Sequence, residues 1–167
     1  MMSSTNTVEI LKSAILLEKK GKAFYGQVAN QASHPEVKRF FELMADEETQ
    51  HIKLLTEQFK SYRDTERFTP VDTPHTADNI ADKVLTSDLV DAIAAADYEA
   101  AAISAAMAME KKAIRLYADR ATTAEDAEEK ALYDWLSRWE QSHLSFLSDL
   151  DREITERIWH DNNFWAF

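Results

Sequence analysis

Residues 14–60, AILLEKKGKAFYGQVANQASHPEVKRFFELMADEETQHIKLLTEQFK, are followed 92 positions later by residues 106–152, AMAMEKKAIRLYADRATTAEDAEEKALYDWLSRWEQSHLSFLSDLDR. The two stretches align without a gap and share 12 identities in 47 positions. Glu18 falls on Glu110, Lys19-Lys20 on Lys111-Lys112, and Tyr25 on Tyr117. Glu48-Thr49-Gln50-His51 falls on Glu140-Gln141-Ser142-His143. Self-similarity over this length marks a duplicated structural unit. Each copy holds two long stretches whose apolar residues recur at helical spacing, so the unit is a helical hairpin.

The first helix is predicted from about Thr5 or Thr7 to Ala32, with Leu11, Ala14, Ile15, Glu18, Tyr25 and Val28 inward. Ser33-His34-Pro35 makes a turn and places Pro35 at the first position of the second helix, where its missing N–H costs nothing. That helix is predicted to about Lys60, with Phe41, Met44, Ala45, Glu48, His51, Ile52, Leu55 and Phe59 inward. Pro70, Pro74, Asp72 and Asp78 mark residues 62–86 as a polar connection. Ser87-Asp88 caps a short helix to Ala96, and Asp97 or a neighbour opens the third long helix. The Ala-rich stretch 92–108 could also run as one continuous helix. The third helix carries Ile103, Ala106, Met107, Glu110, Ile114 and Tyr117 on one face. After a turn at 121–126, the fourth runs from about Glu125 to near Trp159, with Tyr133, Leu136, Glu140, His143, Leu144 and Leu147 inward. The prediction is one all-α domain over 1–167: hairpins at about 5–60 and 97–159, a crossover at 61–96 and an aromatic tail at 160–167. Two short turns and one long crossover give the ferritin-like four-helix bundle.

Composition agrees with this and narrows the function. Only two Gly and three Pro interrupt the 167 residues, and 45% are hydrophobic. A net charge of −11 repels nucleic acid and anionic membrane surfaces and attracts cations such as Fe(II). There is no cysteine for a disulfide, a thiolate zinc site or an iron–sulfur cluster. The longest apolar candidate, Ala92–Met109, contains Asp97 and Glu99, so no membrane span is expected, and with no leader pattern the expected location is cytoplasmic.

Glu18, Glu48, Glu110 and Glu140 stand 14–16 residues from their turns, about 21–24 Å along each helix at ~1.5 Å per residue. Antiparallel packing therefore brings all four to one level, each within an apolar stripe where an unpaired charge is costly. His51 and His143 follow two of them at i, i+3, on the same face. One Glu from each of two helices and a Glu-x-x-His from each of the other two is the ligand set of a two-metal carboxylate site. Four carboxylates would be neutralised by two divalent ions with both histidines neutral. Glu47 competes with Glu48 for a place in the site, but in the repeat Glu48 aligns with Glu140 and Glu47 with Trp139, which selects Glu48.

Tyr25 and Tyr117, seven residues beyond Glu18 and Glu110, read equally as core aromatics or as functional groups that hydrogen-bond a ligand carboxylate or gate small-molecule access. The matched lysines read as solvated face, His34, His75 and His160 as turn or tail residues, and Met107 and Met109 as core filler. The aromatic tail reads as cover for the bundle or a subunit contact.

With Glu18-Lys19-Lys20-Gly21-Lys22-Ala23-Phe24-Tyr25, Glu47-Glu48-Thr49-Gln50-His51, Glu110 with Tyr117, and Glu140-Gln141-Ser142-His143, the chain resembles the rubrerythrin-like branch of the ferritin-like superfamily from about Val8 onward. The resemblance implies a di-iron centre in which Glu48 and Glu140 bridge, Glu18 and Glu110 are terminal ligands, and His51 and His143 each bind one metal. It implies two-electron reduction of hydrogen peroxide, or oxidation of Fe(II) by dioxygen. Rubrerythrins proper also carry a Cys₄ rubredoxin iron, and this sequence has no cysteine, so the electrons are expected from a separate donor protein. They carry a further Glu three residues after the third-helix ligand, where this chain has Ala113, which adds weight to a ferroxidase-like or storage-linked role. Manganese or zinc suits the same nitrogen and oxygen donors. The alternatives are a di-iron hydroxylase and a non-enzymatic metal-binding or structural bundle. The charge argues against a tRNA hydroxylase, and the lack of a long apolar segment against a membrane-quinone one. The fold is also compatible with a homodimer.

Overall fold

Pro35 begins a helix because His34, held extended at φ −89° and ψ 128°, caps it: the His34 ring nitrogen Nδ1 accepts from Glu36 N at 3.3 Å. Such local stops and starts set the order of elements in the computed structural model, which describes residues 4–71, 86–95 and 97–160. Helix α1 spans Ser4–Gln31, α2 Pro35–Thr65, α3 Ser87–Ala94, α4 Asp97–Thr123 and α5 Ala127–His160. No strand occurs among the described residues. Helices α1 and α2 pair as one hairpin, α4 and α5 as the other, and α3 lies against α2, α4 and α5. The fold is the all-α, ferritin-like bundle.

Several boundaries differ from the sequence reading, and three are instructive. Helix α2 runs on to Thr65, five residues past Lys60. It stops at Glu66, a left-handed residue at φ 55° whose N–H returns to the Tyr62 carbonyl at 2.8 Å. A non-glycine residue accepts that conformation only when its surroundings fix it. Just beyond it, the buried Gln58 amide holds the departing chain, donating to the Thr69 carbonyl at 3.1 Å and accepting from Thr69 N at 3.0 Å. The Ala-rich segment is two helices, the second opening at Asp97 as expected, but α3 ends at Ala94 rather than Ala96, where Ala95 N–H bonds back to Asp91. Helix α5 begins at Ala127, with the Asp126 carboxylate accepting from Glu129 N at 2.8 Å as its cap. Residues 72–85 of the crossover, His75 among them, and the tail beyond His160 lie outside the described residues.

Each long helix carries its apolar residues in two blocks with a polar interruption between them. In α1 the order is Leu11, Ala14, then Glu18, then Tyr25, Val28. In α5 it is Leu132, Leu136, then Glu140 and His143, then Phe146, Leu147. Antiparallel packing gathers the blocks into two cores. One holds Phe40, Phe41, Met44, Ile103 and Phe146 and is closed by Leu89 and Ile93 of α3. The other holds Leu11, Leu55, Tyr117, Leu132 and Leu136 and is covered by Phe68. Phe40, Phe146 and Leu150 are buried too and extend the predicted stripes. Beyond the second core, Arg120 joins three helix ends: its Nε donates to Glu129 Oε1 at 2.6 Å, and its guanidinium to Thr7 Oγ1 at 3.1 Å. The polar interruptions form one layer between the two cores.

Candidate metal centre

That layer contains Glu18, Glu48, His51, Glu110, Glu140 and His143, each at most 4% exposed. Two overlapping groups form within it, one of Glu18, Glu48, His51 and Glu140, the other of Glu48, Glu110, Glu140 and His143. In each group, one donor atom from every residue lies within 4.8 Å of the others. Glu48 and Glu140 belong to both groups, and Glu47 belongs to neither.

Both imidazoles turn Nδ1 toward the carboxylates. His51 Nδ1 is 2.8 Å from Glu140 Oε1, 3.3 Å from Glu18 Oε2 and 3.5 Å from Glu48 Oε2. His143 Nδ1 is 3.1 Å from Glu140 Oε2 and 3.7 Å from Glu110 Oε1. Glu48 Oε2 is buried without a hydrogen bond. Buried polar atoms are rarely left so, and a cation between the carboxylates would satisfy it. Gly21 of α1 makes room for this arrangement, since a Cβ there would stand 3.1 Å from Glu48 Oε1.

Four carboxylates cannot all ionise at this spacing without compensating charge. Burial, followed by the Glu140 charge, pushes Glu110 up to about 8 and raises Glu48 well above the carboxylate range. Burial also opposes ionisation of Glu140, but His51 and His143 outweigh it and hold that carboxyl well below its ordinary value. Burial likewise opposes protonation of both histidines. Glu140 facing His51, and Glu110 with Glu140 facing His143, reverse that and raise them. The metal-free cluster thus stores protons on the groups that surround an ionised Glu140.

The tyrosines cross between the hairpins. Tyr25 of α1 donates to Glu110 Oε1 of α4 at 2.5 Å, and Tyr117 of α4 donates to Glu18 Oε1 of α1. Both are fully buried, and burial followed by the neighbouring carboxylate raises each hydroxyl, so they remain proton donors.

A cavity of about 110 Å³ reaches the carboxylates between α1 and α4. Around them its wall is made of Leu17 with Met109, Lys20 with Lys112, and Gly21 with Ala113, each pair related by the 92-residue repeat. The exposed lysines therefore flank the opening, a placement the repeat alone does not reveal. The opposite side, between α2 and α5, is walled by Trp135 and Trp139, whose rings lie 5.9 and 6.0 Å from that of His51. His34 is a helix cap and His160 an exposed helix end, and neither joins the cluster. Met107 and Met109 are half-buried. No single helix among the described residues is long and apolar enough to cross a membrane.

The donor set of carboxylates and imidazoles can hold metal ions and is compatible with a di-iron site. Comparison with known proteins points the same way. The rubrerythrin family profile matches residues 9–151. No curated protein and no solved structure matches the chain. A duplicated helical hairpin, a buried carboxylate–histidine layer and a match over most of the sequence lead to one conclusion: the chain belongs to the rubrerythrin family.

Proposed function

We propose that this protein is a non-haem di-iron oxidoreductase that reduces hydrogen peroxide or oxidises Fe(II) with dioxygen. The observation that carries the reading is the sharing of Glu48 and Glu140 between two otherwise separate donor groups. The shared carboxylates Glu48 and Glu140 would hold both ions, with Glu18 and His51 completing one donor group and Glu110 and His143 the other. Two bound Fe(II) ions supply the two electrons that, with two protons, convert one hydrogen peroxide to two waters.

The chain's own residues do the rest. Tyr25 and Tyr117 donate to Glu110 Oε1 and Glu18 Oε1 and keep protons beside those carboxylates. The narrow opening between α1 and α4 admits a small oxidant, and the apolar cores on either side exclude bulk water. These 167 residues contain no cysteine, so the electrons that restore the reduced state arrive from outside them, from a donor protein.

The test is stopped-flow oxidation of anaerobically Fe(II)-loaded protein, with hydrogen peroxide and dioxygen in parallel. Faster reaction with peroxide supports a peroxidase, and faster reaction with dioxygen a ferroxidase. Undiminished metal binding after Glu48→Ala with Glu140→Ala would remove the basis of both.

A further inference from the structure

Positions 47 and 139 are equivalent in the repeat, yet one is Glu and the other Trp. Each lies against the histidine of the opposite hairpin. Glu47 Oε2 of α2 is 4.0 Å from His143 Nε2 of α5. Trp139 of α5 meets His51 of α2 edge to face, with ring centroids 6.0 Å apart and planes at 83°. The two residues also meet each other, the Trp139 indole Nε1 donating to Glu47 Oε2 at 3.0 Å.

Both histidines present Nδ1 to the carboxylate layer, so a metal ligated there leaves the proton on Nε2. Both Nε2 atoms are buried without a hydrogen-bond partner. Their surroundings differ. His143 Nε2 faces a half-buried carboxylate already gripped by an indole N–H, and a shift of about 1 Å would bring the pair to hydrogen-bond distance. His51 is walled by Trp135 and Trp139, and no carboxylate is paired with its Nε2 among the described residues. A carboxylate behind a ligating imidazole fixes its tautomer and ring orientation and makes it a stronger donor to the metal. Losing such a partner typically costs about 10–100-fold in metal affinity.

We infer that Glu47 is the positioning residue of His143, clamped in place by Trp139, and that the two metal positions are therefore inequivalent. The position held by Glu110 and His143 is the tighter one. The inference rests on the metal-centre reading above and adds an asymmetry which that reading does not contain.

The test is titration of metal-free protein with Co(II), followed by visible absorption and calorimetry. Wild type should take up two ions in separate steps, about 10-fold or more apart. Glu47→Ala should weaken the tighter step by about 10–100-fold and leave the weaker step in place. Glu47→Gln, which keeps a neutral acceptor, and Trp139→Phe, which removes the clamp, should weaken it less. Proton NMR of the Co(II)-loaded protein gives an independent readout: one slowly exchanging imidazole N–H should be lost in Glu47→Ala, with the other histidine's signals unmoved. Two equal steps in wild type, or a Glu47→Ala isotherm that superimposes on it, would overturn the asymmetry and leave the two-metal reading standing. Failure of wild type to bind Co(II) would overturn both.

Discussion

Tyr25 of the first hairpin holds Glu110 of the second at 2.5 Å, and the repeat returns the same bond from Tyr117 to Glu18. Each hairpin therefore supports the outer carboxylate of its partner rather than its own. Tyr25→Phe leaves Glu110 Oε1 buried without this donor. We expect the metal-free protein to lose about 1–3 kcal/mol, measured by urea denaturation. The double change of Tyr25 and Tyr117 to Phe should also slow reaction of the Fe(II)-loaded protein with its oxidant. An unchanged rate would limit the tyrosines to structural support.

Metal uptake should expel protons and strengthen with pH. Glu110, pushed up to about 8, and the raised Glu48, His51 and His143 must all give up protons to a metal. Affinity for Co(II) should rise with pH as these groups lose their protons, Glu110 at about 8 among them, and calorimetry in buffers of different ionisation enthalpy should register the released protons. A pH-independent affinity would contradict the stored-proton arrangement.

The same groups set the stability of the metal-free fold. Glu110 contributes stability that is fully present below its ordinary value of 4.5 and is lost as pH rises through about 8. The raised histidines act in the same direction, with stability present below their ordinary value of 6.5 and lost on raising the pH. Glu140 has the opposite sign, but its contribution is lost only in acid, as pH falls through its lowered folded value. The Tm of metal-free protein should therefore fall as pH rises from about 4.5 to about 8, while that of the metal-loaded protein should change far less. Parallel Tm curves would argue against protons being held in the cluster.

Gly21→Ala separates fold from site. Alanine is worth about 0.8–1 kcal/mol over glycine in a helix interior. Its Cβ, however, would stand 3.1 Å from Glu48 Oε1 and 3.3 Å from Glu48 Cδ, so the shared carboxylate must give way. Helix content should be kept or improved while Co(II) affinity drops. Retained affinity would mean that Glu48 can shift without loss.

Arg120→Ala strands Glu129, whose side chain is 4% exposed, without its 2.6 Å partner. Breaking a buried pair by removing one member costs about 3–5 kcal/mol. Denaturation should show a loss of that order, with Co(II) uptake per folded molecule retained, because the pair lies beyond the second core from the carboxylates. A loss below about 1 kcal/mol would show that water reaches Glu129 once the guanidinium is gone.

The duplicated architecture was readable because gene-level repetition leaves identities in step, and because helix geometry converts residue counts into height. Counting from the turns placed Glu18, Glu48, Glu110 and Glu140 at one level, and the structure brings them together. The repeat also separated Glu48 from Glu47. Glu48 sits in both donor groups, whereas Glu47 stands behind His143. The end of α2 was not readable, because its stop is a left-handed glutamate, and glutamate is not a helix breaker. Nor was the direction of the tyrosine bonds. Seven-residue spacing places Tyr25 on the face of Glu18, but which carboxylate it meets depends on how the hairpins dock. Lys20 and Lys112 read as ordinary solvated residues because only the docked bundle opens a cavity between them.

The crossed tyrosine bonds span 85 and 99 residues, whereas the turns within each hairpin are only a few residues long. Local helix pairing carries little loop-closure entropy, and contacts at that separation carry more, so each hairpin should form before the layer between them closes. A single hairpin offers only one lone Glu and one Glu-x-x-His. Metal ions therefore meet their full set of donors only when folding is nearly over. They should leave the refolding rate almost unchanged and act instead on the unfolding rate, so that the loaded protein persists through kinetic resistance to opening.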